Sequence, residues 1–138
     1  MVQTHSFSIE TKGFNDIIDI TRHVESLLLK SSFTEGSLLV FAPGATAGIT
    51  TIEYEPGLLE DYPKFFEKII PSNESYHHDE TWHDGNGFSH VRASLQGASF
   101  TVPFSDKGLL LGTWQQIILI DFDNRPRHRK VIVQLNGE

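Results

Sequence analysis

From Ala98 to Leu135 the chain reads as strand after strand, with only short breaks between them. ASFTVPF fills 98–104, and a turn follows at Ser105-Asp106-Lys107-Gly108. LLLG and WQQIILIDF come next, over 109–112 and 114–122. A second turn at Asn124-Arg125-Pro126-Arg127 leads into HRKVIVQL at 128–135. Runs rich in β-branched and aromatic residues, bounded by Gly, Pro, Asn and Asp, are the pattern of consecutive strands. This commits the C-terminal part of the chain to sheet.

The preceding part adds helices. Residues 5–10 (HSFSIE) alternate like a strand, and Lys12-Gly13 makes a turn. Ile17, Ile18 and Ile20 lead to Thr21, which is expected to cap a helix over 22–31 with Val24, Leu27 and Leu28 as its apolar stripe. SLLVFA at 37–42 is a compact strand broken by Pro43-Gly44, and TAGITTIEY at 46–54 reads as the next. Leu58, Leu59, Tyr62, Phe65, Phe66 and Ile69 predict a second helix over 57–70, ended by Pro71. Pro63 is tolerable only in a first turn, so its regular part is expected from Asp61. Asn86 is expected to cap a short helix carrying His90, Val91, Ser94 and Leu95, the alternative being a strand through 89–95. In the helical case Asn86 and His90, four apart, share a face. The fold class expected is α+β: one domain over 1–138, with mixed or antiparallel sheets, about seven strands and two to three helices.

At this length a single core can bury roughly two-thirds of the unfolded surface, and ten Phe supply it. The net charge of −7 argues against a general nucleic-acid or anionic-membrane partner, both of which need a positive face. Cationic or metal-bridged ligands are easier to accommodate. With no cysteine, disulfides and thiolate metal sites are excluded. No basic start with an apolar run marks a signal peptide, and no apolar run approaches the ~20 residues of a membrane span. The expectation is a soluble cytoplasmic protein.

Four of the seven histidines fall in one polar stretch, Tyr76-His77-His78-Asp79-Glu80-Thr81-Trp82-His83-Asp84-Gly85-Asn86-Gly87-Phe88-Ser89-His90. Imidazoles beside carboxylates either ligate a divalent metal or move protons near neutral pH. The bland alternative is a solvated acidic loop. His78 and His90, flanking Asn86, are the candidates for convergence, and His77 and His83 are bystanders.

Two further stretches carry chemical potential. Ala42–Thr50 (APGATAGIT) has small residues and hydroxyls that either cradle an anion or only make a tight turn. Glu53 follows near the end of an apolar strand, where a carboxylate needs a partner or a purpose. Gln115, after Gly112 and Trp114, is placed to orient a ligand or meet a subunit. Arg125, Arg127 and Arg129 form the only basic cluster, suited to phosphate and equally to ion pairs at an interface. No GxSxG elbow supports acyl transfer.

TAGITTIE, YHHDE with DGNGFSH, and VPFSDKGLLLGTWQQIILIDFDNRPRHRKVIVQ together resemble the YjbQ-type family, over about Phe7 to Gly137. Its members are often labelled secondary thiamine-phosphate synthases. The resemblance implies a compact α+β homotrimer with a pocket near a subunit boundary. It implies Glu53, His78 and His90 as catalytic residues. Thr46, Asn86, Gln115, Arg125 and Arg127 are implied to bind a small phosphorylated metabolite, and His78 and His90 to hold a divalent metal, zinc or magnesium. The chain departs from the pattern where many relatives carry His-Thr-Thr and this one carries Gly44-Ala45-Thr46, and at Ile52, where relatives carry Asn. A three-histidine metal site is thereby weakened.

Overall fold

In the computed structural model, which describes residues 1–138, eight strands form two antiparallel sheets and four helices pack around them. The elements are β1 (Val2–Thr11), β2 (Asp16–Asp19), α1 (Thr21–Lys30), β3 (Gly36–Phe41), β4 (Ala47–Ile52) and α2 (Pro56–Ile69). They continue as α3 (His77–Trp82), α4 (Gly87–Gln96), β5 (Ser99–Ser105), β6 (Gly108–Leu109), β7 (Gln116–Asp121) and β8 (Arg127–Gly137). One sheet runs β1-β8-β3-β5-β6 and the other β2-β7-β4. The α+β class holds, with all pairings antiparallel and four helices where two to three were expected.

β7 explains the layering. Its sequence QIILID has no polar face, the mark of a strand buried on both sides. Because successive side chains alternate, Ile117 and Leu119 enter one core with Val131, Val133 and Leu135 of β8 and with Val24 and Leu28 of α1. Ile118 and Ile120 enter a second core with Phe66 and Ile70 at the end of α2 and with Phe88 and Ala93 of α4. The odd-numbered face of β7 therefore looks toward the odd-numbered face of β8. That face carries Asp121 in one strand and Arg127 and Arg129 in the other.

Helix starts depart from the sequence expectations in instructive ways. Thr21 is the first helical residue rather than the cap. Its Oγ1 donates to Asp19 at 2.7 Å and accepts from the Ile117 N–H at 2.8 Å, tying α1 to β7. α2 starts at Pro56, not Asp61: Glu55 caps it by accepting from the N–H groups of Gly57 and Leu58, and Pro63 lies in its interior. The His-rich stretch is not simply a loop, since His77–Trp82 is one short helix ending at His83 in the left-handed region (φ 57°). Residues 87–96 take the helical alternative. No helix is long and apolar enough to cross a membrane.

Arg92 locks α4 to α2. It is 1% exposed, and its Nε and Nη2 donate to the Ile70 carbonyl at 3.0 and 2.7 Å. Nη1 reaches Asn15 at 3.0 Å and Nη2 the Glu67 carboxylate at 2.7 Å. Arg92→Ala strips the Ile70 carbonyl of both guanidinium donors and Glu67 Oε2 of its cation, leaving Glu67 only the Ser72 donors on Oε1. Urea unfolding should show a loss of about 3 kcal/mol; a loss under about 1 kcal/mol would reduce Arg92 to a space-filling role.

Candidate functional site

Two fully buried carboxylates form the floor of the candidate site. Asp121 Oδ2 accepts from Thr11 Oγ1 at 2.6 Å and Arg129 Nε at 2.8 Å, while Oδ1 accepts from Arg129 Nη2 at 2.8 Å and the Asp123 N–H at 3.0 Å. Asp123 Oδ2 accepts from Thr46 Oγ1 at 3.0 Å and from Arg127 Nε and Nη2 at 2.9 and 2.7 Å. Its Oδ1 takes Asn86 Nδ2 at 3.2 Å and the Asn124 N–H at 2.8 Å. Burial alone would push the Asp123 carboxyl up. The donors from Asn86, Asn124, Arg127 and Thr46 outweigh it and hold the group below the usual carboxylate value.

Above this floor opens a cleft of about 360 Å³, lined in part by Thr46, His78, Asp84, Asn86, His90, Arg127 and Arg129. Thr46, just before β4, accepts from Arg129 Nη2 at 2.6 Å while donating to Asp123. Nη1 of both arginines has no protein partner, so each keeps a donor for a ligand. Gly44 (φ +130°) borders the same spot: a Cβ there would lie 3.3 Å from Arg129 Nη1. Any side chain at this position would be strained and would crowd that guanidinium.

The opposite wall comes from α3 and α4. Gly87 lets them approach closely, because a Cβ there would meet Tyr76 Cβ at 2.6 Å. Asp79 Oδ1 accepts from the Gly87 N–H at 2.9 Å, and Asn124 Nδ2 donates to the Asp84 carbonyl at 2.8 Å. These contacts bring the rings of His78 and His90 together, with centroids 4.0 Å apart and planes tilted by 34°. Burial, then the neighbouring His78, pushes the His90 imidazole below its ordinary value, leaving it neutral at pH 7. His78 Nδ1 is sealed from solvent without a hydrogen-bond partner, 3.8 Å from Asp84 Oδ1 and 4.0 Å from Asp79 Oδ1. One ligand atom each from His78, Asp79 and Asp84 lie within 4.8 Å of one another, a grouping able to hold a metal ion.

Of the residues singled out from sequence, Thr46, His78, Asn86, His90 and Arg127 meet in this cleft. Glu53, Gln115 and Arg125 do not, within one chain. Glu53 is exposed beyond the far end of β4, about 20 Å along the strand from Thr46. Gln115 lies beside it, accepting from the Gly112 N–H at 2.7 Å and donating to Thr51 at 3.2 Å. Arg125 is exposed in the turn before β8. Sequence reasoning gave no role to Asp121 or Asp123, and it placed Arg129 in the basic cluster without counting it among the ligand-binding residues. The signal was present: carboxylates at odd positions of an apolar strand, and arginines two apart in the strand facing it.

A carboxyl held below its unfolded value stabilises the fold above that value and loses this contribution as pH falls through the folded one. Asp123→Asn should therefore lower the urea midpoint most at neutral pH, with the gap to the unaltered protein closing below about pH 4. A gap that stays constant from pH 7 to pH 3 would contradict an ionised Asp123.

A family model described as "UPF0047 protein YjbQ-like" matches residues 5–138. A UPF0047 protein of Archaeoglobus fulgidus is 42% identical over 127 residues, covering 92% of this chain and 96% of its own. Bacillus subtilis YugU is 35% identical over 134 residues, covering 96% and 98%. Among solved structures, a YbjQ-like protein of unknown function from Sulfolobus solfataricus superposes with a TM-score of 0.89 at 29% identity, with full coverage of both chains. An uncharacterized conserved yjbq/upf0047 family protein of Clostridium acetobutylicum gives 0.87 at 35% identity, covering 96% and 99%. With its whole length shared in sequence and in fold, the chain belongs to the YjbQ-like UPF0047 family.

Proposed function

We propose that the cleft binds and transforms a small phosphorylated metabolite, in the manner of a secondary thiamine-phosphate synthase. The observation that supports this best is the pairing of two anchored guanidiniums, each with a free Nη1, with a neutral imidazole across the same cleft. Arg127 and Arg129 suit phosphate oxygens because their forks are already oriented by Asp123 and Asp121. His90, kept neutral, is able to accept a proton near pH 7. Thr46 and Asn86 position the ligand, and a divalent ion, zinc or magnesium, engages His78, whose Nδ1 has no other partner.

Glu53 and Gln115 enter this reading through a second copy of the chain. Their distance from the cleft within one protomer fits a homotrimer in which the far end of one subunit's β4–β7 pair meets the neighbour's cleft. The same separation favours a second reading, a non-catalytic trimeric module that captures a metabolite or metal without turning it over. In that case Glu53 is an interface residue only.

Single substitutions separate the two. For an enzyme, His90→Ala and Glu53→Ala should each lower turnover of a thiamine precursor pair by at least about 100-fold while the thermal melt of the assembly stays unchanged. Parallel loss of stability and activity would remove the catalytic assignment. Retained ligand binding with no turnover in the unaltered protein would favour the binding module.

A further inference from the structure

We propose that the cleft is a cation site before it is an anion site: His78 Nδ1, Asp79, Asp84 and Asn86 Oδ1 hold a divalent ion, and a phosphate group binds at Arg127 and Arg129 only afterwards. The inference rests on reading the cleft as a phosphorylated-metabolite site and specifies what must occupy it first.

The geometry of the donors carries the argument. The 3.8 and 4.0 Å spacings of His78 Nδ1 to the Asp84 and Asp79 oxygens are too long for hydrogen bonds. They suit atoms sharing one ion, since ligands bound at about 2.0–2.2 Å stand roughly 3–4.4 Å apart. Asn86 supplies an independent observation. It is 3% exposed, and its Oδ1 has no partner although a buried acceptor of this kind is normally satisfied. Its orientation is not free to change. Nδ2 donates to Asp123 Oδ1, which belongs to the carboxylate paired with Arg127 and also accepts from the Asn124 N–H, so a flipped amide would set oxygen against oxygen. Two unpartnered polar atoms, sealed from solvent in one cleft, match the demand of a dehydrated cation when His78 presents Nδ1 unprotonated. An imidazole nitrogen with oxygen donors suits divalent ions that accept mixed ligation, such as Mn²⁺ or Zn²⁺, and not soft Cu(I).

Charge then sets the order. The cleft and its floor gather four carboxylates, Asp79 and Asp84 beside His78 and the buried Asp121 and Asp123, against the two guanidiniums of Arg127 and Arg129, which spend Nε and Nη2 on the buried pair. Counted as carboxylates against guanidiniums, the surroundings keep a formal excess of negative charge, which opposes an incoming phosphate. A divalent ion on the α3 side cancels that excess and lets both free Nη1 groups act on the anion.

Calorimetry on the full chain with Mn²⁺ and inorganic phosphate as probes tests both parts. One Mn²⁺ should bind per chain, and Asp84→Asn should weaken it at least about tenfold. Glu80→Gln, an exposed carboxylate outside the cluster, should leave it unchanged. Asp84 is the cleaner target because Asp79 also accepts from the Gly87 N–H. Phosphate should bind with Mn²⁺ present and give no heat in chelator. Absence of Mn²⁺ binding, or equal affinity in Asp84→Asn, would overturn the cation site. Phosphate affinity independent of Mn²⁺ would overturn the order. Absent thiamine-precursor turnover with the Mn²⁺ and phosphate results as expected would remove the enzymatic reading alone and leave the cation site standing.

Discussion

Asp121 and Asp123 are fully buried charges, and their satisfaction organises one whole end of the molecule. An ion taken out of water costs several kcal/mol unless partners replace its hydration. Here the replacements come from five segments: β1 through Thr11, the start of β4 through Thr46, the start of α4 through Asn86, the turn after β7, and β8 through Arg127 and Arg129. Asn86 illustrates the consequence. It occupies the N-cap position of α4, yet its side chain makes no capping hydrogen bond: the Nδ2 bond to Asp123 sets the amide's orientation, and Oδ1 is left without a partner. The helix gives up a cap contact so that the carboxylate is solvated by protein.

The cleft therefore has two walls of different character. The arginine wall stands on β7 and β8, strands at the heart of the two cores. The histidine wall stands on a six-residue helix and a turn, held by Asp79 to α4 and by Asn124 to the Asp84 carbonyl. Adjustment to a ligand falls to the second wall. Fixed dipoles on one side and less firmly held side chains on the other would suit the proposed pairing of an ion with an anion.

What was legible in the sequence follows from period and chemistry. The strands after Ser99 and the apolar face of α2 were visible because their spacing is regular over many residues. The start of α2 was misplaced because Glu55 is not among the preferred capping residues, although Pro56 at the first helical position was the available sign. α3 was missed because six residues cannot display an apolar stripe. Thr46, His78, Asn86 and His90 were found because polar side chains among turns and glycines stand out. Arg129 was passed over in favour of Arg125, although only residues 127 and 129 share the inward face of β8. Which residues meet across β7 and β8 depends on sheet order, and that is not written in local pattern.

β8 carries two functions on one face: Arg127 and Arg129 toward the cleft, then Val131, Val133 and Leu135 toward the core. A slip of one residue in its pairing with β1 and β3 would invert the whole strand. The core would be turned to solvent and both guanidiniums would leave the buried carboxylates at the same moment. Misfolded chains of this kind lose their main apolar contacts and acquire two unpaired buried charges together. Errors of register are thus rejected twice over by a single strand, and a correctly packed interior carries with it a correctly charged cleft.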